Sequence, residues 1–442
     1  MRFSWMPGRT EPSAPTPRIS LKVRLREACA PLAVRPFRLH YAARMCSWTG
    51  SAVAPIALAF AVLRLGGGPA GLSLVLAAGV IPQILLLLIG GVVADRFSRD
   101  QVMVWTNIIS AVVEGVAALL LWAGRAEVWH LVVMSALCGA ASAFFGPAAG
   151  GIVVEVVPAT MRRQANALLK LSQNLVKIGG PAVGGVLVAA VGTSWVIAWD
   201  AATFAVAAVL CACIALPPAR AKVRTGVVAD LREGWADFWG RRWLWVMVIQ
   251  GAVVVPAWLV GFQLLGPVYG KEFLKGAGAW GVVASAFSGG LVLGAAVALL
   301  TTARRVGIVV CLGTGTMALP LAAMALKGPL LVVAAATCVA GTGLALSMTV
   351  WAGLVQERIP KERLGRVTSY STLGQLLPVP VGYLIAGRLS ATIGVRSTLA
   401  AGAVVIVAAA VLPLVLRQVR VLALAPAAAT ADSEGALVSA PR

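Results

Sequence analysis

Apolar residues fill 60% of 442 positions and charged residues only 12%, more than one soluble core of this size requires, so the chain reads as a polytopic membrane protein. The net charge of +21 raises nucleic acid as a partner, but Lys and Arg fall in small groups between apolar runs and form no stripe or tail, so no nucleic acid is expected. Of seven cysteines, Cys29 lies near the amino terminus and Cys46, Cys138, Cys211, Cys213, Cys311 and Cys338 lie within apolar runs, which implies no disulfide framework.

Residues 1–34 are rich in Arg, Pro and Ser and lack the apolar core of a secretory signal. They are expected to be a cytoplasmic tail, acting as a topology signal or as a basic arm for anionic headgroups. The first predicted helix, 38–64, carries Arg44, Trp48, Ser51 and Pro55 along one face, which should meet protein or water. The second, 72–94, rises about 1.5 Å per residue and is long enough to cross a core of roughly 30 Å. A short charged turn follows, and 101–124 crosses back. Further helices are predicted at 130–157, 164–191 and 194–216, completing a six-helix bundle over 35–216.

The segment 217–242 is basic and places Leu231, Trp235, Phe238 and Trp239 at helical intervals, the pattern of an amphipathic helix on a membrane surface. It reads as a cytoplasmic linker to a second bundle, 243–416, with helices at 243–269, 280–303, 307–326, 329–356, 367–389 and 395–416. An Ala-rich tail, 417–442, ends the chain. The fold class expected is therefore all-α, with twelve spans in two pseudo-symmetric bundles.

Charge supports the count, because Lys and Arg concentrate in cytoplasmic loops. Even-to-odd connections hold Arg96 and Arg99, Arg162 and Arg163, Arg220 to Arg242, Arg304 and Arg305, and Arg358 to Arg366, while the odd-to-even connections hold far fewer. Both termini are placed inside. Trp122, Trp129, Trp195 and Trp280 near the outer ends, with Trp105, Trp243 and Trp245 near the inner ends, read as aromatic belts. A repeat points to two related halves: Glu155-Val156-Val157-Pro158 before Arg162 and Arg163 is matched by Glu357-Arg358-Ile359-Pro360 before Arg363 and Arg366.

The turn Gly90-Gly91-Val92-Val93-Ala94-Asp95-Arg96-Phe97-Ser98-Arg99 resembles the helix 2 to helix 3 signature of the major facilitator superfamily. Its gating residues would be Gly91, Asp95, Arg96 and Arg99, with Asp95 set against the positive start of helix 11 near Val367 to lock the halves on the inside. The alternative is a solvated turn that only fixes topology. The counterpart, Thr301-Thr302-Ala303-Arg304-Arg305, keeps basic residues without the Asp-Arg pair.

In predicted helix 5, Gly180-Pro181-Ala182-Val183-Gly184-Gly185 resembles the antiporter signature of drug exporters of that superfamily, although Val176 stands where the full signature has a further glycine. Small residues there also suit plain close packing. Lys177 shares a face with Gln173, Pro181 and Gly184, and Glu114 and Asp200 lie inside other apolar runs. Charges at that depth must be paired, hydrated or neutralised. Glu114, Lys177 and Asp200 are the candidate groups for proton or charge coupling; the alternative is a structural ion pair, which weighs evenly for Glu114 and Lys177 and is preferred for Asp200. Arg44, Phe144, Phe145, Gln173, Trp258, Gln263, Trp351 and Gln375 are candidate cavity residues, offering aromatic stacking with a few hydrogen bonds, or else helix-packing residues.

Phe144 to Ala148, Gln164 to Asn174 and Asp200 to Phe204, taken with the helix 5 motif, resemble the branch containing enterobactin-type siderophore exporters and macrolide efflux proteins. The resemblance implies a monomeric inner (plasma) membrane antiporter that uses protons to export a small amphipathic drug, antibiotic, siderophore or metabolite by alternating access. Its cavity would be lined mainly by helices 1, 4, 7 and 10. Import by symport, or a non-transporting sensor on the same fold, are the alternatives. An enzyme or primary pump is not expected: no phosphate-binding G-x-x-x-x-G-K-[ST] loop occurs, the two histidines, His40 and His130, lie far apart, and no metal or cofactor set is present.

Overall fold

A computed structural model describes residues 29–214, 239–300 and 305–422, apart from the side chains at 88, 91–92, 94–95 and 361–366. Twelve helices in this part are long and apolar enough to cross a membrane. They are α1 (Arg35–Arg64), α2 (Gly68–Arg96), α3 (Arg99–Trp122), α4 (Val128–Val156), α5 (Arg162–Val191), α6 (Thr193–Ala212), α7 (Arg242–Phe273), α8 (Ala277–Leu300), α9 (Val306–Ala325), α10 (Leu330–Arg358), α11 (Lys361–Leu376 continued by Val379–Ile393) and α12 (Val395–Val415). The predicted amphipathic helix of 217–242 lies almost wholly outside the described residues, as do 1–28, the loop 301–304 and the tail from 423.

What the helices face explains their composition. Leu85 is 68% exposed and Leu299 and Leu300 are 87% exposed, a surface that would aggregate in water and that hydrocarbon solvates. Inside, small residues set the helix spacing, because lipid gives no hydrophobic drive for helices to associate.

The packing repeats between halves. In the first, α2 packs on α4, α3 on α6, α1 on α5 and α6, and α3 on α4. In the second, α8 packs on α10, α9 on α12, α7 on α11 and α12, and α9 on α10. Each pair has its counterpart six helices later, which is the pseudo-symmetry of two six-helix bundles. The same relation governs the seam between them: α5 packs on α8, and α2 on α11.

Three helices are interrupted. Pro256 lies in α7, whose backbone passes through a π segment at Val260–Leu265 before Gly266-Pro267 restarts it. The first stretch of α9 ends at Gly315 and the second starts at Ala318, and α11 breaks before Pro378 and Pro380. Proline cannot donate the ladder hydrogen bond, which weakens α7 and α11 at these prolines, whereas Pro55, Pro82, Pro147 and Pro181 lie inside helices that stay continuous.

The end of the bundle nearest the chain termini is termed here the terminal end, and the opposite one the far end. The seam is tight from the middle to the far end. Ser288 Oγ donates to Lys177 O at 3.2 Å, and a Cβ at Gly387 would strike the Ser73 side chain. Lys271 Nζ donates to Leu63 O at 2.8 Å, tying α7 to α1. At Gly185 an added Cβ would stand 2.7 Å from Ala277 O and from Gly281 Cα, so only glycine permits this approach of the two backbones.

Candidate functional site

A cavity of about 450 Å³ lies at mid-depth in the first bundle, walled by α1, α2, α3, α4 and α6, with Gln263 of α7 reaching it from the second half. Its lining includes a pair of neighbouring carboxyls. Glu114 on α3 and Asp200 on α6 are 8% and 1% exposed and both line the cavity beside one another. Thr203 Oγ1 donates to Asp200 Oδ1 at 3.3 Å, and Cys138 Sγ donates to Glu114 Oε1 at 3.7 Å. Glu114 Oε2 has no partner. Neither carboxyl makes a salt bridge among the described residues.

The local sequence places this pair simply. Asp200 and Thr203 are one helical turn apart on α6, so their side chains share a face. On α3 the face bearing Thr106, Asn107, Ser110 and Glu114 is the buried, polar one, while Trp105, Val112 and Leu119 on its opposite face are exposed. In the second half, Gln250 Nε2 on α7 donates to Thr314 Oγ1 on α9 at 3.1 Å, a neutral contact between two helices.

The sequence profile of the Major Facilitator Superfamily matches residues 41–382, which spans both halves and this cavity. The chain belongs to the Major Facilitator Superfamily. Among relatives, the multidrug efflux pump Tap of Mycobacterium tuberculosis (strain ATCC 25618 / H37Rv) is 28% identical over 404 residues, covering 87% of this chain and 94% of the relative. Macrolide efflux protein A of Streptococcus pyogenes is 21% identical over 383 residues, covering 85% and 94%. The fold is shared with a bacterial homologue of the iron transporter ferroportin, at a TM-score of 0.67 and 17% identity over 86% of this chain and 98% of that one. The nucleoside transporter NupG superposes similarly, with a TM-score of 0.66 and 12% identity over 87% and 98%. The protein is thus a multi-pass membrane protein of a transporter superfamily.

In the turn between α2 and α3, Arg99 is held against α4. Arg99 Nε lies 3.3 Å from Glu155 Oε1, and its guanidinium covers Gly151, where a side chain would collide with it. Arg96 is exposed. The side chain of Asp95 lies outside the described residues, as do those of 361–366 at the start of α11, while Val367, near which Asp95 was expected to sit, is buried. The repeat motif after α4 closes that helix. Arg162 Nη2 donates to Val154 O at 2.8 Å and Nε to Val157 O at 3.2 Å, satisfying carbonyls at a helix end.

The helix 5 motif residues are seams. Gly180 and Gly184 pack on Ala52 and Val53 of α1, while Gly185 and Pro181 O meet Gly281 of α8 across the halves. Lys177 does not approach Glu114. It is exposed on α5, so of the two readings the Glu114–Lys177 ion pair is not formed, and Glu114 has Asp200 as its neighbour instead. Asp200 makes no salt bridge among the described residues, contrary to its reading as half of an ion pair.

Of the cavity candidates, Arg44, Phe145 and Gln263 line the main cavity, and Tyr383 donates to Gln263 Oε1 at 2.9 Å. Gln173 lines a smaller adjoining one. The others are packing residues at neither cavity. Phe144 packs on the cluster around Phe37 and Met103, and Trp258 stacks on Phe262 at 4.7 Å. Trp351 meets Trp243 edge-on at 5.6 Å, and Gln375 lies against Gly251. Trp280, expected in the outer belt, is 3% exposed, its ring filling the space left by Gly266 and Gly270. Trp122 and Trp195 are exposed, in contact at 4.6 Å. Sequence reasoning missed Gly50, Cys138 and Thr203 around the carboxyls. The Asp200-x-x-Thr203 spacing was the available signal.

Proposed function

We propose that the protein is a proton-driven exporter of small amphipathic molecules, a monomer working by alternating access with both termini in the cytoplasm. The observation that carries this reading is the Glu114–Asp200 pair beside a cavity of about 450 Å³. Two carboxylates this close in an apolar interior repel unless a proton lies between them, so the pair is a place to hold a proton and to give it up when water reaches it. The relatives named as multidrug and macrolide efflux proteins support the outward direction and the breadth of cargo. With cytoplasmic termini, the far-end seal between the halves corresponds to a carrier closed to the outside, ready to load from within.

The mechanism follows from these parts. Cargo enters from the terminal end and meets Trp48, Phe145 and Phe204 on the cavity wall. The carboxyls lie on α3 and α6, which pack against each other, and α1 packs on α6 with Gly50 against Asp200, so a change in the tilt of α1 shifts Asp200 relative to Glu114. When the far end opens, a proton enters the pair and favours the return. When the terminal end opens, the proton leaves.

The test uses purified protein in liposomes with an imposed pH gradient and a fluorescent amphipathic dye as cargo. Glu114→Gln is expected to slow gradient-driven dye movement by about a hundredfold and to leave dye exchange without a gradient intact, since exchange requires alternating access but no net proton movement. Gradient-driven movement at the wild-type rate in both Glu114→Gln and Asp200→Asn refutes the coupling assignment. Dye accumulation on the side opposite to that expected refutes export.

A further inference from the structure

Next to the main cavity, a second one of about 270 Å³ runs between α1, α4 and α5 toward the terminal end, and its polar lining is His40, Arg44, Asn166, Lys170 and Gln173. No carboxylate among the described residues lines it. Arg44 and Trp48 line both cavities and form the wall between them. The Arg44 guanidinium lies 4.5 Å from the Trp48 ring centroid and 4.9 Å from that of Phe145, and it has no ion pair among the described residues. His40 is 1% exposed, and its Nδ1 is buried without a partner. Lys177 adds a further positive charge within range of Arg44 and Lys170.

Two cations, Arg44 and Lys170, a histidine and two amides line one space without a carboxylate among the described residues, and the half-buried Arg44 is costly inside a membrane protein until an anion joins it. The two aromatic faces orient the guanidinium and leave its planar edge of N–H donors for a bidentate partner. The α4 wall is open, since a Cβ at Gly146 or Gly150 would meet nothing within 4 Å. We propose that this cavity binds the anionic group, a carboxylate or phosphate, of a molecule whose apolar body lies against Trp48 and Phe145 in the main cavity. The proposal rests on the transport reading and narrows it to cargo with an anionic end, held apart from the acidic pair in the main cavity.

A phospholipid headgroup carries the same anionic chemistry, so the experiment separates the two sources. Protein in nanodiscs of phosphatidylcholine alone is titrated with 2-naphthoate and with neutral 2-naphthamide by calorimetry, without any gradient. Naphthoate is expected to bind about tenfold tighter than the amide, the range of one charged hydrogen-bonded contact. Lys170→Gln, at an exposed position tolerant of change, and Arg44→Gln should each reduce that preference, with Arg44→Lys retaining part of it. Equal binding of acid and amide, or a preference that survives in the Arg44→Gln/Lys170→Gln double variant, overturns the proposal. Failure of naphthoate to bind in these discs, with phosphatidylglycerol binding instead and lost in the same variants, assigns the cavity to lipid and overturns the cargo reading. Because binding is read without transport, a negative result here leaves the liposome test of proton-driven export standing on its own.

Discussion

Gly50 of α1 lies directly over Asp200 of α6: a Cβ at 50 would collide with Asp200 Oδ1 and Thr203 Oγ1 and stand 2.9 Å from Asp200 Cα. One of these neighbours is backbone, which cannot swing aside as a long side chain can. The helix that carries Arg44 and Trp48 into the cavity therefore rests on the acidic residue, and the two cannot move independently.

Gly50→Ala is expected to cost about 1–3 kcal/mol of stability, the usual penalty for forcing a methyl into a packed site. It should also uncouple proton movement from cargo movement, because Asp200 must shift away from Glu114. Melting in detergent and gradient-driven dye transport check the two effects separately. Wild-type values in both would mean that α1 and Asp200 are not in the contact described.

The twelve spans were legible because hydrocarbon thickness imposes about twenty apolar residues per crossing, and the two-bundle plan because basic loops and the Glu155/Glu357 repeat recur in register. The breaks in α7 and α11 were less so: prolines mark where a helix is weak, but the π segment at Val260–Leu265 depends on tertiary packing. Trp280 looked like a belt residue from its place near a helix end, and only Gly266 and Gly270 on another helix show that it is core. In the site, Glu114 and Asp200 stood out as charges in apolar runs. Their pairing was hidden because helical spacing says which residues share a face and not which face another helix presents. For the same reason Lys177 could be set opposite Glu114 in sequence, although it is exposed on α5 and makes no salt bridge with Glu114.

Glu114 and Asp200, holding one proton between them, should behave as a unit. Glu114→Gln and Asp200→Asn are each expected to slow gradient-driven transport by about a hundredfold, the lower range for loss of a proton-transfer group. The double variant should be no slower than either alone, since the first substitution already removes the shared proton. Losses that multiply in the double variant would show two independent groups, and would remove the pair from the mechanism.

Arg162 closes the end of α4 through two carbonyls, whereas its neighbour Arg163 is exposed. Arg162→Ala should lower stability by about 1–2 kcal/mol, the worth of charged hydrogen bonds at a partly exposed site. Arg163→Ala should leave the melting temperature unchanged. Equal effects of the two substitutions would make the contribution one of loop charge and not of the helix cap.

The far-end seal offers the last prediction. Lys271 of α7 donates across the halves to Leu63 O at 2.8 Å, a carbonyl in the last turn of α1 that has no partner further along its own helix. Lys271→Met keeps the apolar stem and removes the donor, so the closed form loses a charged hydrogen bond while the packing of Gly185 on Gly281 persists. A contact of this kind is worth about 1.5–3 kcal/mol, so the balance between closed and open far ends should move toward open by about tenfold or more. Spin labels at the exposed positions 125 and 391, one on each half at the far end, report it as growth of a longer-distance population. Lys271→Arg, which keeps a donor, should restore most of the short-distance population. If Lys271→Met leaves the distances unchanged and only lowers the melting temperature, the ammonium is a structural cap on α1 and the glycine seam alone holds the halves together.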